Sequence, residues 1–233
     1  MATFLVVHGA WAAGWAWKKM RPLMAAGGHE LFTPTCTGLG ERAHLAHRNI
    51  DLETHIQDIL AVLEFEDLRD VILIGHSYGG MVATGVADRA RERIKHLVYL
   101  DAFAPESGKS AIDYLPVEHG AAMRKLAVDG WKVPPNPPPP DTAPADVAWL
   151  TPRRLPQPLP CFEQKLVLKN GPLRLARTFI YARRHNPGDP FRQFMQRARR
   201  EGWPVYEMDA SHSPHVTAPE ALMEILEKAA TSS

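Results

Sequence analysis

The stretch VILIGHSYGGMVA, residues 71–83, constrains this chain more than any other. Four apolar residues run into Gly75-His76-Ser77-Tyr78-Gly79, and an apolar, small-residue pattern resumes behind Gly80. VILI has the length and β-branched content of a buried strand, and the residues from Gly79 to Ala90 read as a helix. A serine between two glycines at such a junction is either part of an ordinary tight turn or a nucleophile held in a strained bend. The pattern G-x-S-x-G is weak alone. Its place between a strand and a helix favours the nucleophile, because the flanking glycines remove the Cβ atoms that would clash as the chain reverses. Ser77 then projects its hydroxyl above the strand end, with a helix N-terminus below it to stabilise developing negative charge.

The rest of the chain repeats this alternation. Short apolar runs at Phe4 to Val7, Leu31 to Thr35, Leu97 to Leu100, Thr178 to Tyr181 and Val205 to Met208 are predicted strands. Helices are predicted over Ala12 to Ala26, ending at Gly27-Gly28, over Asp51 to Glu66 with Asp51 as N-cap, and over Pro219 to Ala230. Strands alternating with helices predict an α/β fold whose mostly parallel sheet is covered on both faces. The middle breaks the rhythm: from Pro105 to Pro172 no clean strand is visible and prolines are dense, as in WKVPPNPPPP at 131–140. The expected organisation is a core of residues 1–104 and 173–233, with 105–172 inserted as a cap over the C-terminal edge of the sheet, where ligands bind in such folds. Proline stiffens such a segment without requiring ladder hydrogen bonds.

Composition excludes several function classes. Lys plus Arg is 27 against 26 for Asp plus Glu, so no global field favours nucleic acid or an anionic membrane. The arginines at 183–184 and 197–200 read as a solvated helical face. Two distant cysteines, Cys36 and Cys161, form neither a disulfide framework nor a metal-site spacing. His44 and His47 make an HxxH pair with no third ligand. The apolar N-terminus lacks the basic region of a signal peptide, and nothing approaches the length of a membrane span. A cytosolic location is the expectation.

FLVVHGAWAAGWAW, GHSYGGMVA, LVYLDAFAPESG and ASHSPHVTAP before a terminal helix resemble the α/β-hydrolase superfamily. The resemblance is to the branch of plant methylesterases, hydroxynitrile lyases and small bacterial esterases, and it covers both ends of the chain well and the middle poorly. It implies a base following the last strand: His212 in DASHSPH, with His215 as runner-up. It also implies that Ala10, after the His-Gly pair, and Tyr78, after the serine, donate backbone N–H groups to an oxyanion. The acid departs from the usual pattern. Thr178 to Tyr181 runs into Ala182, Arg183 and Arg184, and Asp189 follows only later. Asp101, at the end of LVYLD, matches the acid position of haloalkane dehalogenases on the same fold, so Asp101 is the expected partner and Asp189 the alternative.

The function so implied is a serine hydrolase that cleaves a small carboxylic ester through an acyl-enzyme, with no metal and no organic cofactor. Hydroxynitrile lyase chemistry is disfavoured, because those enzymes follow the histidine with a lysine where this chain has Ser213. Cofactor-free oxygenase chemistry and a non-enzymatic small-ligand receptor stay open as alternatives. Trp11, beside the oxyanion segment, is the expected substrate contact, with Trp15, Trp17, Phe103, Trp131 and Trp149 as further aromatic candidates. A small-molecule ester is the expected partner, and a homodimer is left open.

Overall fold

In the computed structural model, which describes residues 1–184 and 189–231, six apolar runs pair into one sheet. His185, Asn186, Pro187 and Gly188 of the HNPGDP stretch lie outside the described residues. The strands are β1 (Thr3–Val7), β2 (Glu30–Phe32), β3 (Val71–His76), β4 (Ile94–Leu100), β5 (Lys132–Val133), β6 (Gln157–Pro158), β7 (Ala176–Ala182) and β8 (Val205–Met208). The main sheet has the order β2-β1-β3-β4-β7-β8, every neighbouring pair parallel, while β5 and β6 form a separate antiparallel ribbon. The helices are α1 (Met20–Ala26), α2 (Leu52–Phe65), α3 (Gly79–Arg89), α4 (Val117–Leu126), α5 (Pro144–Leu150), α6 (Pro160–Glu163), α7 (Arg192–Arg200), α8 (Pro214–Thr217) and α9 (Pro219–Thr231).

The period-2 alternation of the strands sorts their side chains onto two cores. Leu5, Val7, Leu73, Tyr99 and Phe179 face α2, α3 and α7, whereas Phe4, Val6, Ile72, Ile74, Val98 and Ile180 face α1 and α9. Strand β3 is buried along its whole length, which is why its sequence reads as a continuous apolar run. Helix α2 buries Leu52, Ile56, Ile59 and Leu63 in one stripe, each such side chain contributing roughly 1.5–3 kcal/mol relative to exposure. Asp51 caps it as expected: its carboxylate accepts from Thr54 N at 2.9 Å, completing a capping box worth about 1 kcal/mol. Helix α3 is buried on nearly every side, and its Asp88 carboxylate accepts from Lys169 N and Asn170 N while pairing with Arg91.

Two sequence expectations are corrected. The helix over Ala12 to Ala26 is split into a 3-10 turn at Gly14–Trp17 and α1 from Met20. Pro22 explains the break: its ring tolerates only the first turn of an α-helix, so α1 begins just ahead of it. The strand over Leu31 to Thr35 stops at Phe32 in β2, because Pro34 has no N–H to give the ladder. The middle segment, where no clean strand is visible in the sequence, contains two very short ones. It carries α4, α5, α6 and the ribbon in which Val133 faces Gln157.

Candidate active site

The turn after β3 holds Ser77 at φ +55, a left-handed conformation that a residue with a Cβ rarely adopts. The neighbours require it. A Cβ on Gly79 would stand 2.2 Å from the Val7 carbonyl oxygen, so helix α3 starts against β1 only because that position is glycine. Ser77 N–H donates to Leu100 O at 3.3 Å, and Ser77 O accepts from Phe103 N at 3.2 Å, tying the bend to the end of β4.

Above this bend a hydrogen-bonded chain forms. Ser77 Oγ lies 2.9 Å from His212 Nε2, and His212 Nδ1 lies 2.7 Å from Asp101 Oδ2. Since Nδ1–H donates to the carboxylate, Nε2 is left to accept the serine proton. Asp101 is fully buried and sits at φ +43. Its N–H donates to Ile180 O at 2.7 Å and its Oδ1 accepts from Ala182 N at 3.1 Å, so β7 grips it from backbone and side chain together. The His212 ring stacks on Phe191, centroids 5.0 Å apart and planes at 6°.

His76, the variable residue of the serine motif, is a neighbour that sequence reasoning passed over. Its Nε2–H donates to the backbone oxygen of His212 at 2.7 Å, holding the loop that carries the imidazole. Burial keeps His76 neutral, with its pKa lowered to about 3. His215 does not reach Ser77. It is buried between Trp17, stacked at 4.7 Å, and His76, and burial pushes its pKa well below the usual histidine value. Nor is Asp189 brought to His212: it accepts from Tyr181 Oη at 2.5 Å and from Phe191 N at 2.8 Å, at the start of α7.

The candidate oxyanion donors lie on two tethered segments. Among the described residues no acceptor is paired with the Ala10 or Tyr78 backbone N–H. Tyr78 is anchored by its phenol, which donates to His55 Nδ1 at 3.1 Å while His55 Nε2–H donates to Thr37 O. Burial lowers the pKa of His55 to about 4 and raises that of the Tyr78 phenol well above 10. Trp11, next to Ala10, stands at φ +59 and is held from the middle segment. Its N–H donates to Gln157 Oε1 at 2.9 Å and its indole N–H to Val133 O at 3.0 Å. His55, Gln157 and His76 carry no sequence signal for these roles, because their partners lie 18 to 146 residues away.

Ser77, His212, Ala10, Tyr78 and Trp11 border one cavity of about 470 Å³. Trp15 and Phe103 line it too, as do Leu115, Met123, Val133, Leu150 and Phe162 of the middle segment. Trp17, Trp131 and Trp149 are not among the lining residues; Trp149 packs edge-on against Trp15 at 5.2 Å.

A parallel sheet covered by helices, with a serine–imidazole–carboxylate chain across its C-terminal edge, is the architecture of the hydrolase fold. Residues 4–225 match the alpha/beta hydrolase family, and the chain belongs to it. It is 41% identical to the carbendazim hydrolyzing esterase of Nocardioides sp. (strain SG-4G), over 97% of this chain and 98% of that one. It is 35% identical to salicylic acid-binding protein 2 of Nicotiana tabacum, over 45% of this chain and 40% of that protein. Among solved structures it is similar to an extracellular alpha/beta-hydrolase from a Paenibacillus species, with a TM-score of 0.85 and 26% identity over 98% of this chain and 99% of that one.

Proposed function

We propose that this carboxylesterase-type hydrolase cleaves a small carboxylic ester through an acyl-enzyme on Ser77. The reading is carried by the unbroken chain from Asp101 through His212 to Ser77, with spacings of 2.7 and 2.9 Å, at the border of the cavity. His212 Nε2 takes the hydroxyl proton as Ser77 Oγ attacks the ester carbonyl. The carbonyl oxygen becomes an oxyanion and is met by the N–H groups of Ala10 and Tyr78, each worth about 3 kcal/mol in the transition state. The imidazolium, held by the Asp101 carboxylate, then protonates the departing alkoxide. Water gives a proton to His212 as its oxygen attacks the acyl carbonyl, and His212 then returns that proton to Ser77 Oγ as the acid leaves.

Residues 1–104 and 173–233 act in this scheme as the core, and 105–172 as the cap that walls the cavity. Trp11 contacts the substrate from the oxyanion side. The relative's named substrate makes carbendazim one compound to assay, beside short-chain p-nitrophenyl esters. Ser77→Ala is expected to lower ester turnover by about 10⁴-fold or more with the fold retained, measured by initial rates and circular dichroism. Turnover unchanged in that variant ends this reading. A cytosolic location also remains our proposal, in keeping with the buried and unpaired Cys36 and Cys161. Recovery of the protein outside the cell excludes it.

A further inference from the structure

Among the described residues, the cavity beside Ser77 holds one permanent charge with no ion-pair partner. Arg154, between α5 and β6, lines it. Its guanidinium lies over the Trp11 ring, 5.8 Å from the centroid, and its Nη1 donates to the Asn136 carbonyl. Among the described residues no carboxylate stands within ion-pairing distance of it, and it makes no other side-chain hydrogen bond. The other charged Asp and Arg side chains on the cavity wall are engaged. Arg184 pairs with Asp209 and Asp141, and Asp189 is taken by Tyr181, by Phe191 N and by Arg192. Burial lowers the Arg154 pKa, and no neighbouring anion opposes that shift.

A half-buried guanidinium on a cavity wall, with donors to spare and no carboxylate partner, is a ready site for an oxygen acceptor bound there. The platform around it is rigid. Trp11 is fixed by Gln157 and Val133, and Phe162 packs against its ring at 5.7 Å. We propose that Arg154 is a substrate-binding subsite and that the substrates are flat aromatic esters carrying a second oxygen acceptor, a carbonyl or a carboxylate, beyond the scissile group. The aromatic ring lies among Trp11, Phe162 and Phe103, and the acceptor meets the free guanidinium N–H groups. This inference rests on the esterase reading of Ser77.

Two series of three esters test it. One series is methyl benzoate, methyl 4-acetylbenzoate and monomethyl terephthalate. The other is phenyl acetate, 4-acetylphenyl acetate and 4-carboxyphenyl acetate. The readout is the ratio of kcat/KM for each acceptor-bearing ester over its plain parent, compared between wild type and Arg154→Met, so that intrinsic reactivity cancels. In the series whose acceptor reaches Arg154, the ratio is expected to fall at least tenfold in Arg154→Met. Arg154→Lys should retain more of the carboxylate preference than of the carbonyl preference, because a lysine offers charge without a planar fork. A larger fall for the carboxylate marks an anionic substrate class, and an equal fall a neutral one.

A merely structural role for Arg154 would slow parent and acceptor esters alike. Ratios equal within twofold in both series therefore overturn the proposal, whatever the absolute rates. Calorimetric binding of 4-acetylbenzoate to Ser77→Ala protein, with and without Arg154→Met, decides the same question without turnover. A Kd at least tenfold weaker in the double variant supports the subsite, and equal values reject it. Failure of the esterase reading looks different: wild type turns over none of the six esters, or Ser77→Ala turns them over as well as wild type does.

Discussion

Ser77, Asp101 and Trp11 share a property that none of their side chains explains: each has a left-handed backbone, at φ +55, +43 and +59. Such a conformation costs on the order of 1–3 kcal/mol at a residue with a Cβ, and it persists only where the surroundings over-determine it. Around Ser77 and Asp101 that restraint is the set of backbone bonds from β4 and β7; at Trp11 it is Gln157 and Val133. The acid assignment belongs to this scale. Asp101→Asn is expected to lower kcat by about 10³- to 10⁴-fold, because an amide can turn an N–H toward His212 Nδ1 and leave Nε2 without its acceptor role. Asp189→Asn should change kcat less than tenfold, since Asp189 holds Tyr181 and the start of α7 instead. Michaelis kinetics on both variants, with folding checked by circular dichroism, decide the point. A severe loss confined to Asp189→Asn would refute it.

At the scale of elements, the middle segment does more than wall the cavity. Strand β6 places Gln157, fully buried, so that its Oε1 accepts the N–H of Trp11, one residue from the candidate oxyanion donor Ala10. Loss of that acceptor leaves a half-buried N–H unpaired, at a cost of about 1–3 kcal/mol. Gln157→Met is therefore expected to lower the denaturant midpoint and to reduce kcat about tenfold, with a smaller change in KM. An unchanged kcat beside a lowered midpoint would mean that β6 stabilises the loop without positioning it. The proline-rich composition concealed this pairing. Periodicity over two-residue strands carries no information, and Gln157 meets Trp11 only after 146 residues of chain have closed.

For the molecule as a whole, the group of buried histidines sets the acid limit. Burial lowers the pKa of His8, His55, His76, His96 and His215, with His55 lowered to about 4 and His76 to about 3. In the unfolded chain each titrates near 6.5, so below that pH the unfolded state binds more protons than the native one. Stability is then complete above about pH 6.5 and falls as pH drops toward the folded-state values. Each histidine adds up to about 1.4 kcal/mol per pH unit within its window. Urea midpoints measured from pH 8 to pH 4.5 should decline below about 6.5, and less steeply once His215→Phe removes one of the five. A flat profile to pH 5 would show that these rings are not protonated on unfolding.

The sequence alone determined the α/β alternation, the strand–bend–helix around Ser77, the Asp51 cap and the family resemblance, because each depends on residues a few positions apart. Through the resemblance it also favoured His212 over His215 as the candidate base and Asp101 over Asp189 as its partner. The hydrogen-bonded distances from Asp101 to His212 and from His212 to Ser77, the grip of His76 on the His212 loop, the Trp11–Gln157 bond and an Arg154 guanidinium with no carboxylate partner among the described residues were supplied only by tertiary structure. Asp101 and His212 meet because β4, β7 and β8 lie side by side in the sheet, an order that local pattern does not encode. Hydrogen bonds fix such pairs at about 3 Å, whereas apolar periodicity specifies only which face of an element is buried.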